Sequence, residues 1–232
     1  MNQPVELIIF DCDGTLVDSL AGIAQSARLA LEEMGISRHI NNDEVASVVG
    51  LSLEEALAQL LPGQTRGTIL KVADRYRFHY KRLADSGQMT APMFPGVKET
   101  LEKLKNSGIL LGVATGKSLK GLLRCLNEHD LTPYFAAMAT ADDAPSKPHP
   151  GMIEIILSET GIQPDRTLMV GDTDFDIQMG QQAGVQTCAV TYGCHSRERL
   201  AESVPDFWLD QMDHLPAQLG IEPLQMDDFS EG

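Results

Sequence analysis

The sequence predicts an α/β protein, a parallel-sheet core interrupted by an all-helical insertion, and three observations carry that expectation. Short apolar, β-branched runs recur along the chain, beginning with Val5-Glu6-Leu7-Ile8-Ile9-Phe10, as strands buried on both faces require. Stretches with apolar side chains at helical spacing separate these runs, the pattern of a parallel sheet with helices on both faces. Between residues 17 and 92 no run has strand character, so the alternation breaks once, directly after the first strand.

Within that break, Ile23, Ala27, Leu31 and Met34 stripe a first helix that Gly35 stops. Helical text continues over 43–61, and again over 65–84 with Ile69, Val72, Ala73, Tyr76 and Tyr80. Pro92 and Pro95-Gly96 punctuate the return to alternation. Val97, Leu101 and Leu104 mark a helix, supported by Glu99 and Lys103 at i,i+4. A strand at 109–115 follows, then a helix through Leu119, Leu122, Leu123 and Leu126, and a weak strand at 135–139. Met152, Ile153, Ile156 and Leu157 form the next helix. The strand 167–171, a helix near 174–183, the strand 186–191 and a short strand at 207–209 complete the series. The expected division is a Rossmann-like core from residues 1–16 and 93–215, a helical cap over 17–92, and an acidic surface tail over 216–232.

Composition narrows the function classes. The chain has 232 residues, 43% hydrophobic and 22% charged, an ordinary globular balance. A net charge of −15 argues against nucleic acid, whose phosphate backbone demands clustered Lys and Arg. It leaves room for a small phosphorylated ligand, because a local site can invert the surrounding field. The opening apolar run is too short for a signal-peptide core or a membrane span, so a cytoplasmic location is expected. Cysteines 12, 125, 188 and 194 form no CxxC or zinc spacing, which fits reduced thiols; Cys12 reads as a packing residue.

In an open parallel sheet, ligands bind beyond the carboxyl ends of the strands. There the sequence places Asp11 and Asp13, then Thr115-Gly116-Lys117, then Lys147, then Gly171-Asp172-Thr173-Asp174-Phe175-Asp176. Asp11, Asp13 and Asp172 would repel one another unless a cation neutralised them. Oxygen donors without His or Cys favour Mg²⁺ over zinc. Beside a metal-held phosphate ester, Asp11 is the expected nucleophile, splitting the displacement through an aspartyl-phosphate. Asp13 is the expected acid and base, while Thr115, Lys147 and backbone N–H groups hold the phosphate oxygens.

FDCDGTLVDS (10–19), VATGK (113–117), SKPHP (146–150) and VGDTDFD (170–176) resemble the four motifs of the haloacid-dehalogenase-superfamily phosphatases. The helical insertion resembles their C1 cap, and the resemblance is nearest to the phosphoglycolate-phosphatase-like group. It implies Mg²⁺ on the Asp11 carboxylate, the Asp13 backbone carbonyl and Asp172, with Asp176 just outside the metal's ligands. It implies Thr115 and Lys147 on the phosphate. Gly116 departs from the pattern, since many relatives carry Asn there; its backbone N–H can still serve.

The implied reaction is hydrolysis of a small phosphomonoester, phosphoglycolate-like as a first guess. A sugar-phosphate mutase of the β-phosphoglucomutase type, a pyrophosphatase or nucleotidase, and a non-enzymatic receiver-like module are the alternatives. Leu53, where such mutases carry a basic residue, speaks against the mutase. The helical insertion and an acid two residues beyond the nucleophile speak against the receiver. Asp174 reads as a helix-dipole partner, His149 and His195 as loop residues, and the basic row from Arg66 to Arg82 as a solvated helix face.

Overall fold

The computed structural model describes residues 4–221. Six parallel strands form one sheet in the order β3-β2-β1-β4-β5-β6. They are β1 (Leu7–Phe10), β2 (Leu110–Thr115), β3 (Ala137–Thr140), β4 (Thr167–Gly171), β5 (Gln186–Val190) and β6 (Phe207–Leu209). All four residues of β1 are buried, which is what a central strand covered on both faces demands.

Successive side chains of β1 serve different layers. Ile8 and Phe10 pack with Val97, Leu101 and Leu104 of α5 (Val97–Asn106) and with Leu122 and Leu126 of α6 (Leu119–Glu128). Leu7 and Ile9 pack on the other side with Met152, Ile153 and Ile156 of α7 (Gly151–Thr160) and Met179 of α8 (Asp174–Gln182). Cys12 joins the first of these clusters, its Sγ 3.8 Å from that of Cys125, and serves packing as the alternation predicted.

Between β1 and α5 lie four helices: α1 (Leu20–Glu33), α2 (Asn42–Ala46), α3 (Leu53–Leu60) and α4 (Arg66–Asp85). Ala24, Ala27, Ala30 and Leu31 of α1 share a cluster with Ile69, Val72 and Ala73 of α4, and the small side chains let the two axes approach. The helical text at 43–61 divides in two. Gly50, at φ +97°, turns the chain between α2 and α3. The chain leaves the core and re-enters it side by side: Val17 bridges Met93, the Asp18 N–H donates to Pro92 O at 2.8 Å, and the Phe94 N–H donates to Leu16 O at 3.0 Å.

At the carboxyl end of the chain, α9 (Arg197–Glu202) covers β5, and α10 (Leu215–Gln218) packs on α5. The expected surface tail over 216–232 is therefore corrected at its start. Pro216 is buried, and Leu219 and Ile221 rest against the core, because apolar residues recur here at helical spacing. The acidic stretch from residue 222 lies outside the described residues. Among the described residues no helix is long and apolar enough to cross a membrane.

Candidate active site

The strand order reverses at β1: the chain builds β2 and β3 to one side, then crosses to place β4 on the other. Such a switch point opens a crevice at the carboxyl ends of the strands. Phe10 of β1 pairs with Val170 of β4, so Asp11 and Gly171 leave the sheet next to each other. Thr115 ends β2 one strand away.

Asp11, Asp172 and Asp176 are fully buried, and each offers a carboxylate oxygen within 4.8 Å of the others. The Lys147 ammonium sits among them, 2.7 Å from Asp11 Oδ1 and 2.7 Å from Asp176 Oδ1. Burial pushes the Asp11 carboxyl well above the usual range, against the pull of Lys147 and with the repulsion of Asp176 and Asp172. Burial, and then Asp176, pushes Asp172 up to about 6. One ammonium beside three carboxylates leaves the cluster short of positive charge. Among the described residues Asp11 Oδ2 has no hydrogen-bond partner, and Oδ1 meets only the Lys147 ammonium. Three clustered carboxylates, one of them with an unpartnered oxygen, and no His or Cys donor among them, suit a hard divalent cation.

Several contacts hold these carboxylates in place. Thr15 Oγ1 donates to Asp172 Oδ1 at 2.8 Å and the Cys194 N–H donates to Oδ2 at 2.7 Å. Glycine makes room for Asp172: a Cβ on Gly14, which stands at φ +82°, would lie 2.1 Å from Oδ2. Asp176 also closes the first turn of α8, accepting from the Thr173 N–H at 3.0 Å and from the Thr173 hydroxyl at 2.7 Å. Asp174 on the same turn pairs with Arg199 at 2.9 Å, as expected of a dipole partner. His195 accepts the Asp174 N–H at Nδ1, 3.1 Å away.

Asp13 faces the opposite way. Its Oδ1 accepts from Ser19 Oγ and lies 2.8 Å from Lys117 Nζ. Lys117, the last residue of the VATGK motif, receives no role from the sequence, and the structure brings it to Asp13. Burial opposes its charge, yet Asp13 holds its pKa well above the ordinary lysine value. Tyr80 of α4 also presents its ring 5.5 Å from the Lys117 ammonium.

Asp13, Gly116 and Lys117 line a cavity of about 680 Å³ whose remaining walls come largely from α1, α3, α4 and the turn between α2 and α3. That turn closes on the core. The Ser52 N–H donates to Ser146 Oγ at 2.8 Å, and Arg199 Nη1 donates to Ser47 O at 3.2 Å. The departure at Gly116 has its reason here: a Cβ would lie 2.3 Å from Leu51 O and 2.6 Å from Gly50 O. Gly116→Ala is expected to push this turn off the core and lower kcat/KM by about a hundredfold, the scale of a 1 Å misplacement. Steady-state kinetics checks this, and an unchanged kcat/KM would show that the contact is not needed in turnover.

The basic row of α4, expected as a solvated face, is divided: Arg77 and Lys81 line the cavity, and the ion pairs of the row stay within the same helical unit. Arg75 meets Glu33 at 3.3 Å, Arg77 meets Glu54, and Lys81 meets Asp85.

Comparison with known proteins agrees with this architecture. The family model of haloacid dehalogenase-like hydrolases matches residues 8–190. A phosphoglycolate phosphatase of Aliivibrio fischeri is 32% identical over 229 residues, covering 95% of this chain and 99% of that protein. The Probable phosphatase IndB of Dickeya dadantii is 35% identical over 205 residues, 88% of this chain and 89% of its own. Among solved structures, a predicted phosphatase from Clostridium acetobutylicum superposes with a TM-score of 0.84 at 25% identity, covering 94% of this chain and 99% of that one. The chain belongs to the haloacid dehalogenase-like hydrolases and is a phosphatase of that family.

Proposed function

We propose that the protein hydrolyses a small phosphomonoester with Asp11 as nucleophile, Asp13 as acid and base, and Mg²⁺ as cofactor. The observation that carries the reading is the opposed placement of the two carboxylates. Asp11 faces the charged cluster with Lys147, and Asp13 lines the cavity. A phosphoryl group between them meets the nucleophile on one side and presents its leaving oxygen to the acid on the other.

Attack by an Asp11 oxygen forms an acyl–phosphate bond as the ester P–O bond breaks, and Asp13 gives its proton to the departing alkoxide. Asp13, now a carboxylate beside the Lys117 ammonium, then takes a proton from the water that hydrolyses the aspartyl-phosphate. Thr115 and Lys147 hold equatorial phosphate oxygens, with the Gly116 N–H beside them. Asp11, Asp172 and the Asp13 carbonyl are the metal's ligands in this reading, and Asp176 orients Lys147. Mg²⁺, when bound, supplies positive charge for the phosphoryl oxygens.

Phosphoglycolate is the first ester to try, since relatives about a third identical to this chain bear its name. Cysteines free of disulfides fit a reducing compartment such as the cytoplasm. Phosphate release from p-nitrophenyl phosphate tests the reaction class. Turnover is expected with Mg²⁺ and is lost in EDTA. No release with Mg²⁺, or full release in EDTA, would overturn the proposal.

A further inference from the structure

The cavity on the Asp13 side holds more than a two-carbon leaving group. At roughly 30 Å³ per heavy atom, the share of a water in the liquid, glycolate's five heavy atoms fill about 150 Å³. The cavity measures about 680 Å³. Asp13 lines it and the buried Asp11 cluster does not, so in the reading above the space beyond Gly116 lies on the side of the departing alcohol.

Its walls are predominantly hydrocarbon. Ile23 of α1, Val48, Leu53 and Leu57 at and beyond the turn, and Tyr76 and Tyr80 of α4 all line it. The two tyrosine rings stack with centroids 5.8 Å apart, a broad and stiff aromatic surface. Five cationic side chains line the cavity. Lys117 is held by Asp13, Arg77 by Glu54, and Lys81 and Arg124 by Asp85, while Lys120 is exposed to solvent. A small carboxylate here would leave most of the apolar wall against water.

We infer that the leaving alcohol is bulky and predominantly apolar, a ring-bearing primary alcohol and not a two-carbon hydroxy acid; this rests on the phosphatase reading above. The ring would lie against Tyr76 and Tyr80 and displace water from the α3 wall, while the ester oxygen stays at Asp13. Burial of that apolar surface, not a new charge contact, would set the preference.

The test is a series of primary alkyl phosphates, whose leaving groups differ far more in size than in basicity. Ethyl phosphate, 2-phosphoglycolate, benzyl phosphate and 2-phenylethyl phosphate are compared with wild-type protein and Mg²⁺. The kcat/KM of the two aromatic esters is expected to exceed those of ethyl phosphate and 2-phosphoglycolate by about tenfold or more, the scale of filling an apolar pocket. In Ala56→Trp, which narrows the α3 wall, the ratio of 2-phenylethyl to ethyl phosphate is expected to fall by about the same factor. If 2-phosphoglycolate equals or exceeds the aromatic esters in wild type, the size inference is overturned and the phosphatase stands. Failure of every ester, p-nitrophenyl phosphate included, would instead remove the phosphatase reading itself. The wild-type series decides the matter even where the tryptophan variant does not fold.

Discussion

Asp11→Asn is expected to abolish Mg²⁺-dependent phosphate release, lowering kcat by at least about 10⁴-fold, while raising the melting temperature of the metal-free protein. The two effects have one origin. Asp11 is buried with Asp172 and Asp176 as neighbours, and burial already pushes its carboxyl well above the usual range. A group whose folded pKa exceeds its unfolded value is costly in its ionised form. At neutral pH the metal-free fold thus loses stability by housing this carboxylate. The amide keeps the shape, removes the charge and cannot form an acyl-phosphate. Losing the nucleophile of a covalent mechanism typically costs orders of magnitude in turnover. Calorimetry without metal, paired with a phosphate-release assay, reads both quantities. Turnover near wild type would reject Asp11 as nucleophile, and a lowered melting temperature would reject the electrostatic account.

Lys147→Ala should do the reverse to stability and the same to activity. Lys147 is 1% exposed, and its ammonium lies between Asp11 and Asp176 at 2.7 Å from each. Removing one partner of a buried ion pair leaves an uncompensated charge and costs about 3–5 kcal/mol. For a chain of this length that lowers the melting temperature by about 10 °C. Loss of a fixed cation facing the phosphoryl oxygens is expected to cut kcat by about 10³-fold. Adding Asp11→Asn to Lys147→Ala is expected to restore part of the stability and none of the turnover. A double variant no more stable than Lys147→Ala alone would mean that the lysine acts through packing and not through charge.

The central strand and the site's first motif were legible because local and global signals coincide there. Leu7 to Phe10 is β-branched, apolar and short, and the sheet buries it entirely. Asp172 and Asp176 were legible for a similar reason, since an apolar strand runs straight into an acid-rich helix start. Legibility fails where a contact joins distant segments without a sequence period of its own. Lys117 gains its place from Asp13 and from Tyr80 on a helix of the insertion. Gly116 looked like a departure, and only the approach of the Gly50-Leu51 carbonyls explains it. The helical text over 43–61 forms two helices because a positive-φ glycine, Gly50, interrupts the periodicity. At the carboxyl end, acidic composition beyond residue 221 masked the last apolar turn, Leu215 to Ile221.

The strand order has a consequence for how the protein is made. β1 leaves the ribosome first, yet both its neighbours, β2 and β4, are translated much later. The Thr15–Asp172 contact alone spans 157 residues. Leu7 pairs first with Leu110, so at about 5–20 residues per second Leu7-Ile8-Ile9-Phe10 remains unpaired for roughly 5 to 20 s. The helices of residues 20–85 contact one another locally and can assemble in that interval, whereas the sheet must wait for its distant strands. A nascent chain thus presents a finished helical unit beside a bare apolar segment. That segment, and not the helical unit, is where a chaperone would bind and where slowed synthesis would turn folding toward aggregation.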